Sequence, residues 1–256
     1  MDAILSTRNA SKSFGGFTAL KDLSVSFERG KLTAVIGPNG AGKSTFFNIA
    51  SGAFPPSSGS VVFDGKDMTN EPPHAFARVG IAKSFQITNV FAELTARENV
   101  RVAAQAMTSR FQLFRSRENY PALVEKADHL LERVGIGHRR LNKARELAHG
   151  EQRSLEMAMA LASNPKVLLL DEPTAGMSPD ETRQMMDLIL RLAEERTVII
   201  VEHKMKLVMG IAQKLVVLHH GELLAEGTPD EIKANEDVKR VYLGQGKPAA
   251  TRQIAP

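Results

Sequence analysis

Nine consecutive residues, Gly37-Pro38-Asn39-Gly40-Ala41-Gly42-Lys43-Ser44-Thr45, fit the pattern G-x-x-x-x-G-K-[ST]. Glycines at these positions let a backbone approach a polyphosphate closely and turn successive N–H groups toward it. A helix starting near Lys43 aims the positive end of its dipole at the same point. Lys43 would reach the β- and γ-phosphates, and the Ser44 hydroxyl would ligate Mg²⁺. A second group is the pair Asp171-Glu172, which ends the apolar run 167–170. Asp171 would hold Mg²⁺ through water, and Glu172 would polarise an attacking water. Two acids at a strand end are also ordinary surface residues; the phosphate loop upstream favours the catalytic reading. A third candidate is His203, which follows the run 198–201 and Glu202. Beside a γ-phosphate its imidazole would donate to the developing charge; elsewhere it would be a satisfied structural histidine. Gln86 carries no signal on its own.

The surrounding pattern says what must position these residues. Residues 3–8 and 23–27 read as strands, with turns at Gly15-Gly16 and Glu28-Arg29-Gly30. The run 32–36 leads into the glycine-rich loop, and a helix over 43–50 is stopped by Ser51-Gly52 and Pro55-Pro56. A strand over 61–63 ends in the hairpin-type turn Asp64-Gly65. From Thr95 the period becomes helical. Thr95 and Glu98 form a capping box, and Pro121 sits at a first helical position. Leu123, Ala127, Leu130, Leu131 and Val134 share one helix face closed by Gly135, and a third helix spans about 150–162. Residues 87–162 therefore read as a helical lobe inserted into an α/β core built from 1–86 and 163–244. In that core the runs 167–170 and 197–201 are apolar enough to be covered on both faces. Met185, Met186, Leu188, Ile189 and Leu192 form a helical stripe between them. Residues 215–218 and 222–225 flank His220-Gly221 as a hairpin, Thr228-Pro229-Asp230-Glu231 opens a last helix, and 245–256 reads as a disordered tail.

Composition narrows the classes. The 256 residues carry a net charge of +4, with bases and acids interspersed rather than gathered into a basic stripe, which argues against a nucleic-acid partner. Absence of cysteine excludes a disulfide framework and a thiolate metal site. No apolar run approaches the roughly 20 residues of a membrane span, and the start, Met1-Asp2-Ala3-Ile4, has no signal-peptide pattern. The expectation is a cytoplasmic protein.

The order of the pieces resembles the ATP-binding cassette (ABC) transporter family over nearly the whole chain. Between Lys43 and Asp171 lie Gln86 and a segment Leu147-Ala148-His149-Gly150-Glu151-Gln152-Arg153, similar to the family's signature LSGGQ. The resemblance implies a P-loop NTPase core of mainly parallel sheet, with an N-terminal antiparallel β portion and the helical lobe. It makes Gln86 the Q-loop glutamine and a further Mg²⁺ ligand, His203 the switch histidine, and Phe14 the aromatic that stacks on adenine, against a strand-end core phenylalanine as the alternative. It implies a head-to-tail dimer of ATPase subunits, in which Ala148, His149, Gly150 and Glu151 touch the ATP held by the partner. ATP binding would close the dimer and move a permease helix seated beside Gln86, in a groove lined by Phe85, Ile87, Val90, Phe91 and Leu94. The stretch Glu202-His203-Lys204-Met205 and the C-terminal Val241-Tyr242-Leu243-Gly244 look like the larger ATPase subunit of branched-chain amino-acid importers. That implies a permease, a second ATPase subunit, a solute-binding protein and a place on the cytoplasmic face of the membrane. An exporter ATPase and an ATP-sensing regulator stay open as alternatives. Three departures stand out: Ala148 replaces the signature serine, His149 replaces a glycine, and Ala175-Gly176-Met177-Ser178 replaces SALD.

Overall fold

The chain opens with two long strands, β1 (Ala3–Phe14) and β2 (Phe17–Glu28), folded back at Gly15-Gly16. Next come β3 (Leu32–Ile36), α1 (Lys43–Ala50), β4 (Ser58–Phe63), β5 (Lys66–Asp67), α2 (Pro73–Val79) and β6 (Ile81–Lys83). Among the described residues α3 (Ala96–Gln105), α4 (Pro121–Arg133) and α5 (His149–Leu161) follow. The chain continues as β7 (Val167–Asp171), α6 (Pro179–Ala193), β8 (Thr197–Val201), α7 (Met205–Met209), β9 (Lys214–His219), β10 (Glu222–Gly227), α8 (Pro229–Ala234) and α9 (Glu236–Leu243). This computed structural model describes residues 2–84, 90–106 and 121–243, so the tail beyond 243, together with Phe85, Gln86 and Ile87, lies outside the described residues.

Two sheets result. One is antiparallel in the order β2-β1-β4-β5; the other runs β10-β9-β3-β8-β7-β6, parallel except for the β9–β10 hairpin. β1 continues well past Arg8, and register shifts between Thr7 and Ala10 and between Ala10 and Lys12 hide the continuation by breaking its alternation. The parallel strands are covered on both faces, and period two sorts their side chains. Leu32, Ala34, Ile36, Leu168, Leu170, Val198, Ile200, Leu215 and Val217 point into one core, shared with α3, α4, α5 and α6. Val35, Val167, Leu169, Ile199, Val201, Val216 and Leu218 point into the other, shared with α1 and the antiparallel sheet. The three middle helices thus pack on the same core that supports the catalytic strands. Arg97 on α3 forks onto Asp128 of α4 through two bonds of 2.7 and 2.9 Å.

The Thr228 helix is not the last. Asn235 ends α8, and its side-chain oxygen then accepts from the N–H groups of Asp237 and Val238, starting α9. The asparagine joins two short helices, of six and eight residues, with no loop between them to mark the boundary in the sequence.

Candidate active site

β3, β8 and β7 are neighbours in the parallel sheet, so the loops after their C-terminal ends meet along one edge, where open α/β sheets bind ligands. The loop after β3 carries the phosphate-loop motif. A Cβ on Gly37 would lie 2.3 Å from Leu218 O, and one on Gly42 (φ +96) 2.7 Å from Ala19 O, so both positions require glycine. The loop is braced from outside: Gly221 N–H donates to Ala41 O (3.1 Å) and Lys21 N–H to Gly221 O (2.9 Å). Pro38, Asn39 and Gly40 form the crest, and Ser44 and Thr45 sit in the first turn of α1. Lys43 is buried and bends over the loop, donating to Gly37 O (2.8 Å) and Pro38 O (3.0 Å). Burial lowers its pKa, and the charges of Glu172 and Asp171 oppose that shift.

Asp171 ends β7 and is 4% exposed. Burial raises its pKa; Lys83 and Lys43 pull it down, and Glu172 pushes it further up. Its Oδ1 is buried with no hydrogen-bond partner among the described residues. An orphaned buried carboxylate oxygen is costly, and a hard cation with oxygen ligands is the chemistry that satisfies it. Glu172 follows with φ +46, a left-handed conformation costing a non-glycine residue about 1–3 kcal/mol. Its N–H is drawn across to Val201 O at 2.9 Å, which turns the residue over the end of β8. His203 meets it there: Nδ1 lies 3.6 Å from Glu172 Oε1 and 3.9 Å from Glu202 Oε2. The histidine side chain is half-exposed, so it is not a core residue. Beneath it the buried Glu202 accepts a short hydrogen bond from the Thr174 hydroxyl, joining the loops after β7 and β8.

A model of the family described as ABC transporter matches residues 20–175, and a model described as branched-chain amino acid ATP-binding cassette transporter matches residues 222–248. The chain belongs to the ABC transporter family. It is similar to the high-affinity branched-chain amino acid transport ATP-binding protein BraF of Pseudomonas aeruginosa, 38% identical over 250 residues that cover 94% of this chain and 98% of BraF. Among solved structures, it resembles the ADP conformation of an ABC transporter's ATP-binding cassette, at TM-score 0.84 and 32% identity, covering 96% of this chain and all of the other. A dimeric post-hydrolysis cassette bound to ADP and Pi matches at TM-score 0.75 and 27% identity, over 88% of this chain and 98% of that one. Like these ABC cassettes, this chain is an ATPase on a P-loop NTPase fold.

The other expected ABC residues sit away from the sheet edge. Phe14 ends β1 about half-exposed, its ring edge-on to Phe54 at 5.5 Å and under Lys12 Nζ at 5.4 Å. It is therefore not a core phenylalanine. The signature residues open α5. Ala148 is its N-cap and offers no side-chain acceptor. The Glu151 carboxylate instead turns back to Ala148 N–H (2.9 Å) and takes a bond from Arg139 (2.9 Å). His149 packs against Gly176, and Gly150 N–H donates to Glu181 Oε1 at 3.2 Å. Ser178, in the aspartate's place, caps α6 through a reciprocal pair with Glu181.

Sequence reading missed the contacts of Asn99 and the long-range contact of Glu181. Asn99, fully buried on α3, accepts from Phe91 N–H (2.7 Å) and donates to Phe91 O (3.1 Å) and Thr95 O (3.0 Å). It fixes the turn that presents Phe91, which is 54% exposed, while Val90 and Leu94 are partly buried. Glu181 was detectable as the fourth residue of an S-x-x-E capping pattern, but its reach to Gly150, 31 residues away, was not.

Proposed function

We propose that this chain is the ATP-hydrolysing subunit of an importer that takes up branched-chain amino acids, or a related small polar or organic-acid solute, through a membrane permease. The observation that carries the reading is the C-terminal match over 222–248, which covers β10, α8 and α9 outside the catalytic edge. Similarity to BraF along nearly the full length supports it.

In this reading the amides of the loop from Gly37 to Thr45 cradle the triphosphate, and Lys43 swings from its loop carbonyls onto the β- and γ-phosphates. Ser44, Asp171 and Gln86 would hold Mg²⁺, which supplies charge neutralisation at the phosphates. Glu172, already turned over β8, polarises the attacking water, and His203 donates to the γ-phosphate oxygens. Phe14 offers its open face to adenine. Two ATPase subunits pair head to tail, so that Ala148, His149, Gly150 and Glu151 of each close on the ATP of the other. The dimeric similarity to an ADP- and Pi-bound cassette supports this arrangement. Residues 87–162 form a lobe on the α/β core that moves on closure and drives the permease through the Gln86 segment and Phe91. The subunit then lies on the cytoplasmic face of the membrane, served from the other side by a solute-binding protein. Among the described residues no helix is long and apolar enough to cross a membrane.

Glu172→Gln tests the core of the scheme. It keeps the side chain's shape but removes the carboxylate, so the variant binds ATP, does not turn it over, and accumulates as an ATP-dependent dimer in light scattering. Turnover at the parent rate would remove Glu172 from its role. For the solute class, reconstituted transporter should hydrolyse ATP faster when its binding protein is loaded with leucine or valine. An unchanged rate with every amino acid tried would refute the branched-chain amino-acid assignment, and an unchanged rate with small polar and organic-acid solutes as well would refute the importer.

A further inference from the structure

Lys83 has no part in the scheme above, yet it stands beside it. It ends β6, where its register partner on β7 is Leu169, two residues before Asp171. Its ammonium donates to Asn48 Oδ1 at 2.7 Å. Asn48 lies on α1 four residues after Ser44, so the two share one helix face a turn apart. Lys83 thus grips α1 on the face that carries Ser44, from a strand hydrogen-bonded to the one that carries Asp171. Its charge also reaches Asp171. Burial lowers the pKa of Lys83 and the Asp171 carboxylate opposes that, while Lys83 is the strongest charge pulling the Asp171 pKa down.

We propose that Lys83 is a positioning residue for the Mg²⁺·ATP site, setting the separation of Ser44 and Asp171 through its hydrogen bond to Asn48. Mg²⁺ demands close to octahedral geometry, with Ser44 as a direct ligand and Asp171 fixing one of its waters, so its affinity depends on where α1 sits relative to β7. The phosphate loop's own amides need no such registration, because loop and α1 move together. This inference rests on Ser44 and Asp171 being the metal ligands.

The test separates metal from nucleotide. The full chain, in excess over a non-hydrolysable ATP analogue so that all nucleotide is bound, is titrated with Mg²⁺ by calorimetry; analogue affinity is measured separately in EDTA. Lys83→Met should lower Mg²⁺ affinity by about tenfold, the lower end for outer-shell ligand partners, with affinity in EDTA unchanged. Asn48→Leu breaks the same contact from the α1 side, gives the same split, and serves if Lys83→Met does not fold. Lys83→Arg, which keeps a donor, restores the parent value. Parent-like Mg²⁺ affinity in either disrupted variant, or an equal loss in EDTA, overturns the inference. Asp171→Asn identifies which reading has failed. If it keeps Mg²⁺ affinity, the ligand assignment is wrong; if it loses affinity while Lys83→Met does not, only the role of Lys83 falls.

Discussion

Replacing Asn99 with leucine should loosen the turn before α3 by an amount the hydrogen bonds predict. The Oδ1 atom accepts from Phe91 N–H at 2.7 Å, and Nδ2 faces the carbonyls of Phe91, Thr95 and Leu94 at 3.1, 3.0 and 3.4 Å. Two amide protons serve two strong bonds, so leucine, similar in shape, removes about three bonds worth about 0.5–1.5 kcal/mol each. Thr95 O keeps the Asn99 N–H at 3.0 Å, so its loss is the smallest of the three. Phe91 is exposed and its freed groups can reach water. The expected loss is therefore about 2–3 kcal/mol. For a chain of this size each kcal/mol lowers the melting temperature by about 2–4 °C, so calorimetry should record a fall of roughly 4–12 °C. Because the same turn presents Phe91, permease stimulation of ATP turnover should fall with it. A melting temperature within about 2 °C of the parent would mean that the turn is held by something other than Asn99.

Three further outcomes follow from other contacts. Lys43→Ala removes the ammonium proposed to reach the phosphates and should abolish ATP binding in calorimetry; tight binding retained would refute the loop assignment. Glu181→Gln leaves one accepting oxygen where Glu181 now serves both Ser178 N–H and Gly150 N–H. The freed Gly150 amide should let a Glu172→Gln dimer form at several-fold lower ATP, and an unchanged ATP requirement would show that the contact does not compete. Tyr242 on α9 has its pKa pushed up to about 12 by burial, from a model-compound value of 10.0. The unfolded state then ionises first, so stability falls as pH rises from about 10 toward about 12. Urea melts at pH 8 and pH 11 should show this fall in the parent and a smaller one in Tyr242→Phe.

These residues also mark how far the sequence could be read. β3 and α1 were legible to the residue because a wholly buried strand, a glycine loop and a helix stop leave one consistent parse. Lys43, Asp171, Glu172 and His203 were legible as candidates because each begins a helix or lies within two residues of the end of a buried strand, and the sheet order then brings those ends together. Elements of five to seven residues, such as α2 and α7, carry too few residues for a period to emerge. Among side chains, the missed ones share a different cause. Lys83 acts on Asn48 across 35 positions, Glu181 on Gly150 across 31, and Thr174 on Glu202 across 28. Each is a polar contact whose partner is chosen by sheet order and helix packing, not by spacing. A motif names the atoms that meet the nucleotide because those lie on one short loop. The residues that hold separate loops at a working distance come from different strands and helices, and only the folded chain brings them together. The same logic applies at the start of α5, where Ala148 carries no hydroxyl. The amide capped by Glu181 is supplied by the backbone of α5, so the donor survives the loss of a hydroxyl, and what governs it is a carboxylate from another helix.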